Sequence, residues 1–355
     1  MKKILSVFLS LVMLLLLTGC VYDDLQTAVH EDGSGTVSVT LGVTEEAVEL
    51  LGLQDQIEAN GAAAFERGGV AYYGRSAESS FASPEEFNAL CAKLSAQVRA
   101  PGYEIDPGTL VLLENGDGSH TLSLILSAPN DPAAVLKSRA PQLSEETAAS
   151  LLADMVMRYT FTFDAPVRQS VGPADGVSVQ GSTVTADLLR MQAGTYQFTT
   201  TTAPLTDTAY ENSGNAVLLD GESSPLPAYY LKDANGNGTN YVKLRDVASL
   251  LSGTQAQFEV AWDGIIRVTT GEAYTPNGSE MSAPFRGERT ALCGTPVTMI
   301  DGSYAALDAL TLTDDSGGGY TYYKLRDLGR ALGFNVRWDG EASVIRIETD
   351  RPYTG

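Results

Sequence analysis

Apolar and polar residues alternate through most of the first two hundred positions. The stretch "LQTAVHEDGSGTVSVTLGV", residues 25–43, alternates on both sides of an Asp-Gly-Ser-Gly turn and predicts a β-hairpin. "TLVLLENGDGSHTLSLILS", residues 109–127, predicts another. Helical spacing replaces the alternation in "TEEAVELLGLQDQIEA", which reads as helix from Thr44, and in "SPEEFNALCAKLSAQV". In the second of these Ser83 can cap, Pro84 suits the first turn and Glu86 completes a capping box. Phe87, Leu90, Cys91, Leu94 and Val98 then fall on one helical face. "LSEETAASLLADMVMRYTFTFDAPV" reads as a helix running into a strand with Tyr159, Phe161 and Phe163 on one side. "GVSVQGSTVTADL" and "TYQFTTTT" add strands. Residues 21–203 are expected to form an α+β domain, an antiparallel sheet plus helices with one principal sheet.

The last third of the chain is written nearly twice. Ala216 to Ser252 match Val297 to Gly333 at a constant shift of 81, which pairs Asp220-Gly221 with Asp301-Gly302. The same shift pairs Lys243-Leu244-Arg245-Asp246 with Lys324-Leu325-Arg326-Asp327. A five-residue insertion near Gly253–Gln257 changes the shift to 76 and pairs Phe258, Val260 and Trp262 with Phe334, Val336 and Trp338. Leu244, Val247, Ala248 and Leu251, like Leu325, Leu328, Gly329 and Leu332, lie at the spacing of an amphipathic helix, and Gly253 and Gly333 suit its end. The Phe-x-Val-x-Trp runs alternate as half-buried strands, and Asp263-Gly264 and Asp339-Gly340 turn the chain into Ile/Val-rich return strands. Each copy is expected to be a small α+β unit, a sheet around one helix, with its Trp buried. The resulting division is 1–20 signal segment, 21–203 first domain, 204–214 linker, 215–276 first repeat, 277–290 linker and 291–355 second repeat.

Composition and charge narrow the function. With 43% hydrophobic and 19% charged residues, the 355-residue chain is globular material. Lys and Arg number 23 against 44 Asp and Glu, so the net charge of −21 argues against a nucleic-acid partner. At the N-terminus Lys2-Lys3 precede an apolar run, Ile4 to Leu17, too short for a comfortable membrane span, and Leu17-Thr18-Gly19-Cys20 follow at once.

Candidate chemistry is sparse. There is no G-x-S-x-G, no phosphate loop ending in Gly-Lys-Ser/Thr, no H-E-x-x-H and no C-x-x-C. His30 and His120 sit beside hairpin turns, and Asp164 in "FTFDAPV" stands at a strand end, where a cap or turn role outweighs that of one acid of a glycosidase pair. Cys91 reads as a buried, inert thiol, and Cys293 has no His or Cys beside it. "DANGNGTNY" places Asp233, Asn235 and Asn237 at the alternate positions of a calcium loop, but its twelfth position is Leu244. The matching "DDSGGGYTY" from Asp314 lacks both Asn ligands, so a polar turn explains both copies. No catalytic, cofactor-binding or metal-binding residue is expected.

Three resemblances attach to these residues. Leu17-Thr18-Gly19-Cys20 resembles a bacterial lipobox, which implies acylation of Cys20 and an extracytoplasmic protein held at the membrane by its lipid. "YKLRDLGRALGFNVRWDGEASVIRIETDRPYT" and its earlier copy resemble the copper amine oxidase N-terminal-like, or stalk, domain, found in tandem on secreted bacterial proteins. That family implies an accessory α+β module without the oxidase copper site, and the Lys, Arg and Asp of each copy then read as a solvated helix start. The Asp-Gly-Ser-Gly hairpin and the late "YTFTFDAPV" and "GSTVTADL" resemble LppM-like lipoprotein domains, which implies contact with envelope lipid or glycolipid. The function expected is a non-catalytic binding or scaffold lipoprotein with an envelope lipid, glycan or protein as partner. The alternative is a divergent envelope hydrolase with its site in the first domain.

Overall fold

The computed structural model describes residues 22–59, 61–98, 106–139, 141–201, 206–212, 216–263, 265–282, 285–294, 296–315 and 317–354. Cys20 lies outside them. The chain divides into two compact units, Met1–Glu114 with Gly118–Thr201, and Asn115–Asp117 with Thr202–Gly355.

The first unit begins β1 (Tyr22–Val29), β2 (Gly35–Thr44), α1 (Glu45–Leu51), α2 (Gln54–Ala59), β3 (Ala63–Arg67), β4 (Val70–Phe81), α3 (Pro84–Val98). It continues β5 (Thr109–Glu114), β6 (His120–Leu126), α4 (Pro132–Arg139), α5 (Glu145–Ala153), β7 (Val156–Phe163), β8 (Gln169–Val171), β9 (Val177–Gln180), β10 (Thr183–Asp187) and β11 (Gly194–Thr199). The helix starts follow the capping residues. Ala47 N donates to Thr44 Oγ1 (3.2 Å) and Glu86 N to Ser83 Oγ (3.3 Å), while Glu86 reaches back to accept from Ala82 N (2.8 Å).

Two sheets are present where one principal sheet is expected. A seven-stranded sheet has the order β3-β4-β2-β1-β7-β10-β9, and a four-stranded sheet the order β5-β6-β11-β8. Strand β1 pairs antiparallel with β2 and parallel with β7, a crossover of more than a hundred residues that local alternation does not encode. One core joins both sheets: Val37, Val39 and Leu41 meet Leu112, Leu124 and Phe198, with Val48, Phe87 and Leu151 from the helices. Strand β5 is an edge, and buried Asn88 of α3 closes it, donating to Leu112 O (2.9 Å) and accepting from Leu112 N (2.7 Å).

The second unit repeats one element order. The first pass is β12 (Thr206–Glu211), β13 (Ala216–Leu219), β14 (Glu222–Ser224), β15 (Ala228–Lys232), β16 (Gly238–Lys243), α6 (Leu244–Leu251), β17 (Phe258–Trp262) and β18 (Ile266–Thr270). The second is β19 (Glu288–Gly294), β20 (Thr298–Ile300), β21 (Ser303–Ala305), β22 (Ala309–Thr313), β23 (Gly319–Lys324), α7 (Leu325–Leu332), β24 (Asn335–Asp339) and β25 (Val344–Glu348). Strand β12 wholly and the first three residues of β19 arise in segments expected to be linkers, and the two strands pair with each other. Both are short and half polar, so neither signals a strand until its partner is in place.

The copies are not the separate units that the repeat suggests. Strands β12-β15-β16 of the first close a barrel with β23-β22-β19 of the second. The hairpin β13–β14 adds to β25–β24 through a parallel β13·β25 pair, and β20–β21 adds to β18–β17 in the same way. Both hairpins turn at Asp-Gly, with positive φ at Asp220 (47°), Gly221 (92°), Asp301 (49°) and Gly302 (80°). Each turn clasps the other copy: Asp220 accepts from Thr349 N (2.8 Å) and Oγ1 (2.7 Å), and Asp301 from Thr270 N (2.9 Å) and Oγ1 (2.6 Å). Phe258, Val247 and Leu251 share one core with Phe334, Leu328 and Ile347, while Tyr229, Leu310 and Tyr322 belong to a second cluster.

The tryptophans depart from expectation. Trp262 is 70% exposed and Trp338 45%, because each is the last residue of its alternating run and stands at the hairpin end, past the core that Phe258 and Phe334 fill.

Candidate functional site

The Lys-Leu-Arg-Asp segments join a barrel strand to a helix, so the Lys ends β16 or β23 and the Asp stands in the first turn of α6 or α7. In the first copy this start is buried rather than solvated. The Lys243 and Asp246 side chains are 7% and 1% exposed, with Nζ 3.2 Å from Oδ1. Residues 277–282 cover the pair. Lys243 Nζ donates to Ser279 O (2.9 Å) and Ser282 Oγ (3.4 Å), and Met281 N donates to Asp246 Oδ1 (2.9 Å). Met281 adopts φ 57°, a left-handed conformation costly for a side chain of its size, and packs against the shared core. Burial raises the Asp246 pKa, opposed by the Met281 N–H and the Lys243 ammonium.

The covering segment is itself tied down. Tyr274 OH donates to Glu280 Oε1 (2.5 Å) and accepts from Arg245 Nη1 (3.4 Å). Glu280 also accepts from Asn277 N and Gly278 N, both at 2.8 Å. The Tyr274 hydrogen bond and these amides lower its pKa to about 2.

In the second copy the same start is less deeply buried. Lys324 is 33% and Asp327 15% exposed; their nearest ionic partners are Asp308 at 3.9 Å and Arg330 at 3.7 Å. Arg326 is exposed and has no hydrogen-bond or ion-pair partner among the described residues. A cleft of about 630 Å³ opens here, walled by Lys324, Arg326 and Arg337, with Trp338, Val336 and Ile345 as its apolar surface. Tyr230 and Asn237–Asn240 of the first copy form the opposite side. Of the three basic residues Arg337 is paired with Glu348 at 3.4 Å and Lys324 with Asp308 at 3.9 Å.

Other residues singled out by sequence take structural places. His30 Nδ1 lies 3.2 Å from Asp164 Oδ2, which also accepts from Glu31 N (3.3 Å), so the strand-end acid orders the turn after β1. Both side chains are half exposed, and among the described residues His30 Nε2 holds no hydroxyl or thiol. His120 is buried, with its backbone N–H donating to Thr200 Oγ1 (3.0 Å). Cys91 is buried and Cys293 half-buried; both are free thiols, and burial raises the pKa of each. Asp233 directs its carboxylate into its own turn, accepting from Asn235 N (2.9 Å), Asn237 N (2.8 Å) and Asn237 Nδ2 (2.9 Å). Asp314 does the same with Gly318 N (2.7 Å), so one turn design serves both copies. Among the described residues no cluster of three or more His, Cys, Asp or Glu is placed to hold a metal ion, and no helix is long and apolar enough to cross a membrane.

One buried acid went unnoticed in the sequence. Asp23 lies in the central strand β1, and desolvation, with Asp24 next to it, raises its pKa from 3.8 to about 7. Its neighbour Asp24 faces the other side of the sheet and meets Arg158 Nε at 3.1 Å. The folded state thus holds a proton on Asp23 that the unfolded chain has already released, and stability falls as pH rises between these values. Asp23→Asn is expected to leave unfolding unchanged near pH 4 and to stabilise by on the order of 3 kcal/mol near pH 8, read from urea midpoints at both pH values.

Comparison with known proteins gives little. No family model matches, and no curated protein matches. A solved structure that matches is the NMR structure of the Mycobacterium tuberculosis LppM protein folded domain, at 14% identity and a TM-score of 0.29. The match covers 52% of this chain and 90% of that one.

Proposed function

We propose that the protein is a lipoprotein held on the extracytoplasmic side of a cell membrane by acylation of Cys20, where it acts as a non-catalytic binding and scaffold protein. One observation carries this reading: the succession of Lys2-Lys3, the apolar run Ile4 to Leu17 and Leu17-Thr18-Gly19-Cys20. A diacylglyceryl group contributes roughly 0.8 kcal/mol per buried methylene, enough with two long chains to retain a folded protein at a bilayer. Strand β1 starts at Tyr22, two positions after Cys20, and a two-residue step reaches at most about 7 Å, which would hold the anchor close to the central strand of the large sheet. In this reading the first unit meets an envelope lipid or glycolipid. The second, with its likeness in sequence to stalk domains, presents a stiff two-copy module. The barrel and the two Asp-Thr clasps support that role, because they bind the copies into one body.

Cys20→Ala is expected to release the protein from membranes or to block its processing. Fractionation and the mass of the N-terminal peptide test this. Unchanged retention with an unchanged peptide mass would overturn the lipoprotein reading.

A further inference from the structure

The end of the large sheet at which β1 begins carries an aromatic cluster on the sheet's outer face. Tyr22 packs against Phe65 and Tyr72 at ring-centroid distances of 5.4 and 4.9 Å, and Phe65 stacks on Tyr72 at 5.3 Å. Two glycines of the neighbouring strands make room for it. A Cβ on Gly42 would lie 2.9 Å, and one on Gly74 2.8 Å, from the Phe65 ring. The β3–β4 hairpin also reaches past its neighbour here. Strand β2 ends at Thr44, opposite Tyr72, whereas β4 starts at Val70, opposite Arg67. Residues 62–74, "AAAFERGGVAYYG", hold no charge besides Glu66 and Arg67, and Ala63, Ala64, Gly68, Gly69 and Ala71 are exposed. Edge strands are ordinarily guarded by Lys, Pro or a bulge. Strand β3 is an edge that opens with two alanines and a half-buried phenylalanine.

We propose that this end of the first unit seats on the lipid headgroup layer, with the β3–β4 hairpin as the contact and the Tyr22–Phe65–Tyr72 cluster as its support.

The course of the chain selects the occupant. Cys20 stands two positions before Tyr22, a step of at most about 7 Å, so acyl chains on Cys20 bring the bilayer to this end of the sheet and not to the other. Aromatic and small apolar side chains suit the membrane interface. The depth is limited by the backbone. As an edge, β3 has outward N–H and C=O groups that need water or headgroups, so the hairpin stays above the hydrocarbon. Charge contributes little. Asp24 is paired with Arg158 and Asp187 with Arg190, while Glu45 and Glu46 open α1 at the same end, so neutral lipid is favoured over anionic.

This seating rests on the acylation of Cys20 and adds an orientation to it. The test uses the acylated chain with Cys293→Ser, Cys91 being buried. A polarity-sensitive dye is attached at Ala71→Cys, or, as the control, at Glu31→Cys in the turn at the far end of β1; both positions are exposed. Circular dichroism verifies the fold of each labelled chain. The probe is a vesicle of phosphatidylcholine. Both chains are expected to cosediment with it. The emission of the Ala71 label should shift to the blue, and a spin-labelled headgroup should quench it several-fold more than the Glu31 label. Added salt should leave the shift in place, since the contact is not ionic. Cosedimentation with a water-like Ala71 label overturns the seating and leaves the anchor standing, and so does an equal response at the two sites. Loss of cosedimentation overturns both. A blue shift that the Cys20→Ala protein shows without vesicles, and that grows with protein concentration, would mean that β3 pairs with a second copy, and it too overturns the seating.

Discussion

Alanine at Phe258 or Phe334 is expected to cost about 3–5 kcal/mol of stability, and alanine at Trp262 or Trp338 less than about 1 kcal/mol. Both pairs belong to matching runs in the order Phe-x-Val-x-Trp, Phe258 opening β17 and Phe334 standing just before β24. The difference lies in where the core stops. Phe258 and Phe334 are fully buried among residues of both copies, so truncation leaves a cavity that neither copy can close alone. The tryptophans pair across the strand ends with Ile266 and Ile345 and remain exposed, Trp262 for the most part and Trp338 by nearly half. Urea unfolding of the four single variants decides the matter. Equal losses at the Trp and Phe positions would mean that the hairpin ends are packed. The exposed indoles then become the more informative pair, since Trp338 borders the open cleft and Trp262 holds the equivalent place in the first copy.

Much of the fold was legible because its signals are local. Thr44 and Ser83 cap the helices they were expected to start, and the chain turns after Asp339 between β24 and β25 as Asp339-Gly340 suggests. The helix faces around Val247 and Leu328 point into the core as their spacing requires. What failed is long-range. Nothing in "AVLL" or "VIRIE" shows that β13 of one copy lies parallel to β25 of the other, since either strand satisfies its own alternation alone. Strands β12 and β19 were missed for a related reason: "TDTAYE" and "ERTALCG" carry few apolar residues and become strands by closing a barrel. The site was half legible. Pairing Lys243-Leu244-Arg245-Asp246 with Lys324-Leu325-Arg326-Asp327 located both helix starts, but sequence gave them identical surroundings. The asymmetry comes from "NGSEMS", which looked like a linker because turn-forming residues serve a linker and a fitted loop equally well.

The two aspartates that begin the helices should respond very differently to the same substitution. Asp246→Ala removes the carboxylate paired with a Lys243 ammonium that is itself buried, and it strands the Met281 N–H in the same step. Breaking a buried pair from one side leaves an uncompensated charge, and the expected loss is about 3–5 kcal/mol. The covering turn should loosen with it, since Lys243 can escape to water only by displacing residues 279–282. Asp327→Ala meets smaller costs: Asp327 is partly buried, but its partner Arg330 is exposed and free to move into water, so their 3.7 Å i,i+3 contact is worth about 1 kcal/mol. Urea midpoints compare the two variants, and amide exchange at Met281 reports the turn directly. Lys243→Met combined with Asp246→Leu is the control, because replacing both charges with apolar groups of similar size should recover most of the loss. If Asp246→Ala and Asp327→Ala proved equally mild, the first helix start would be no more buried than the second, and residues 277–282 would not be seated on it.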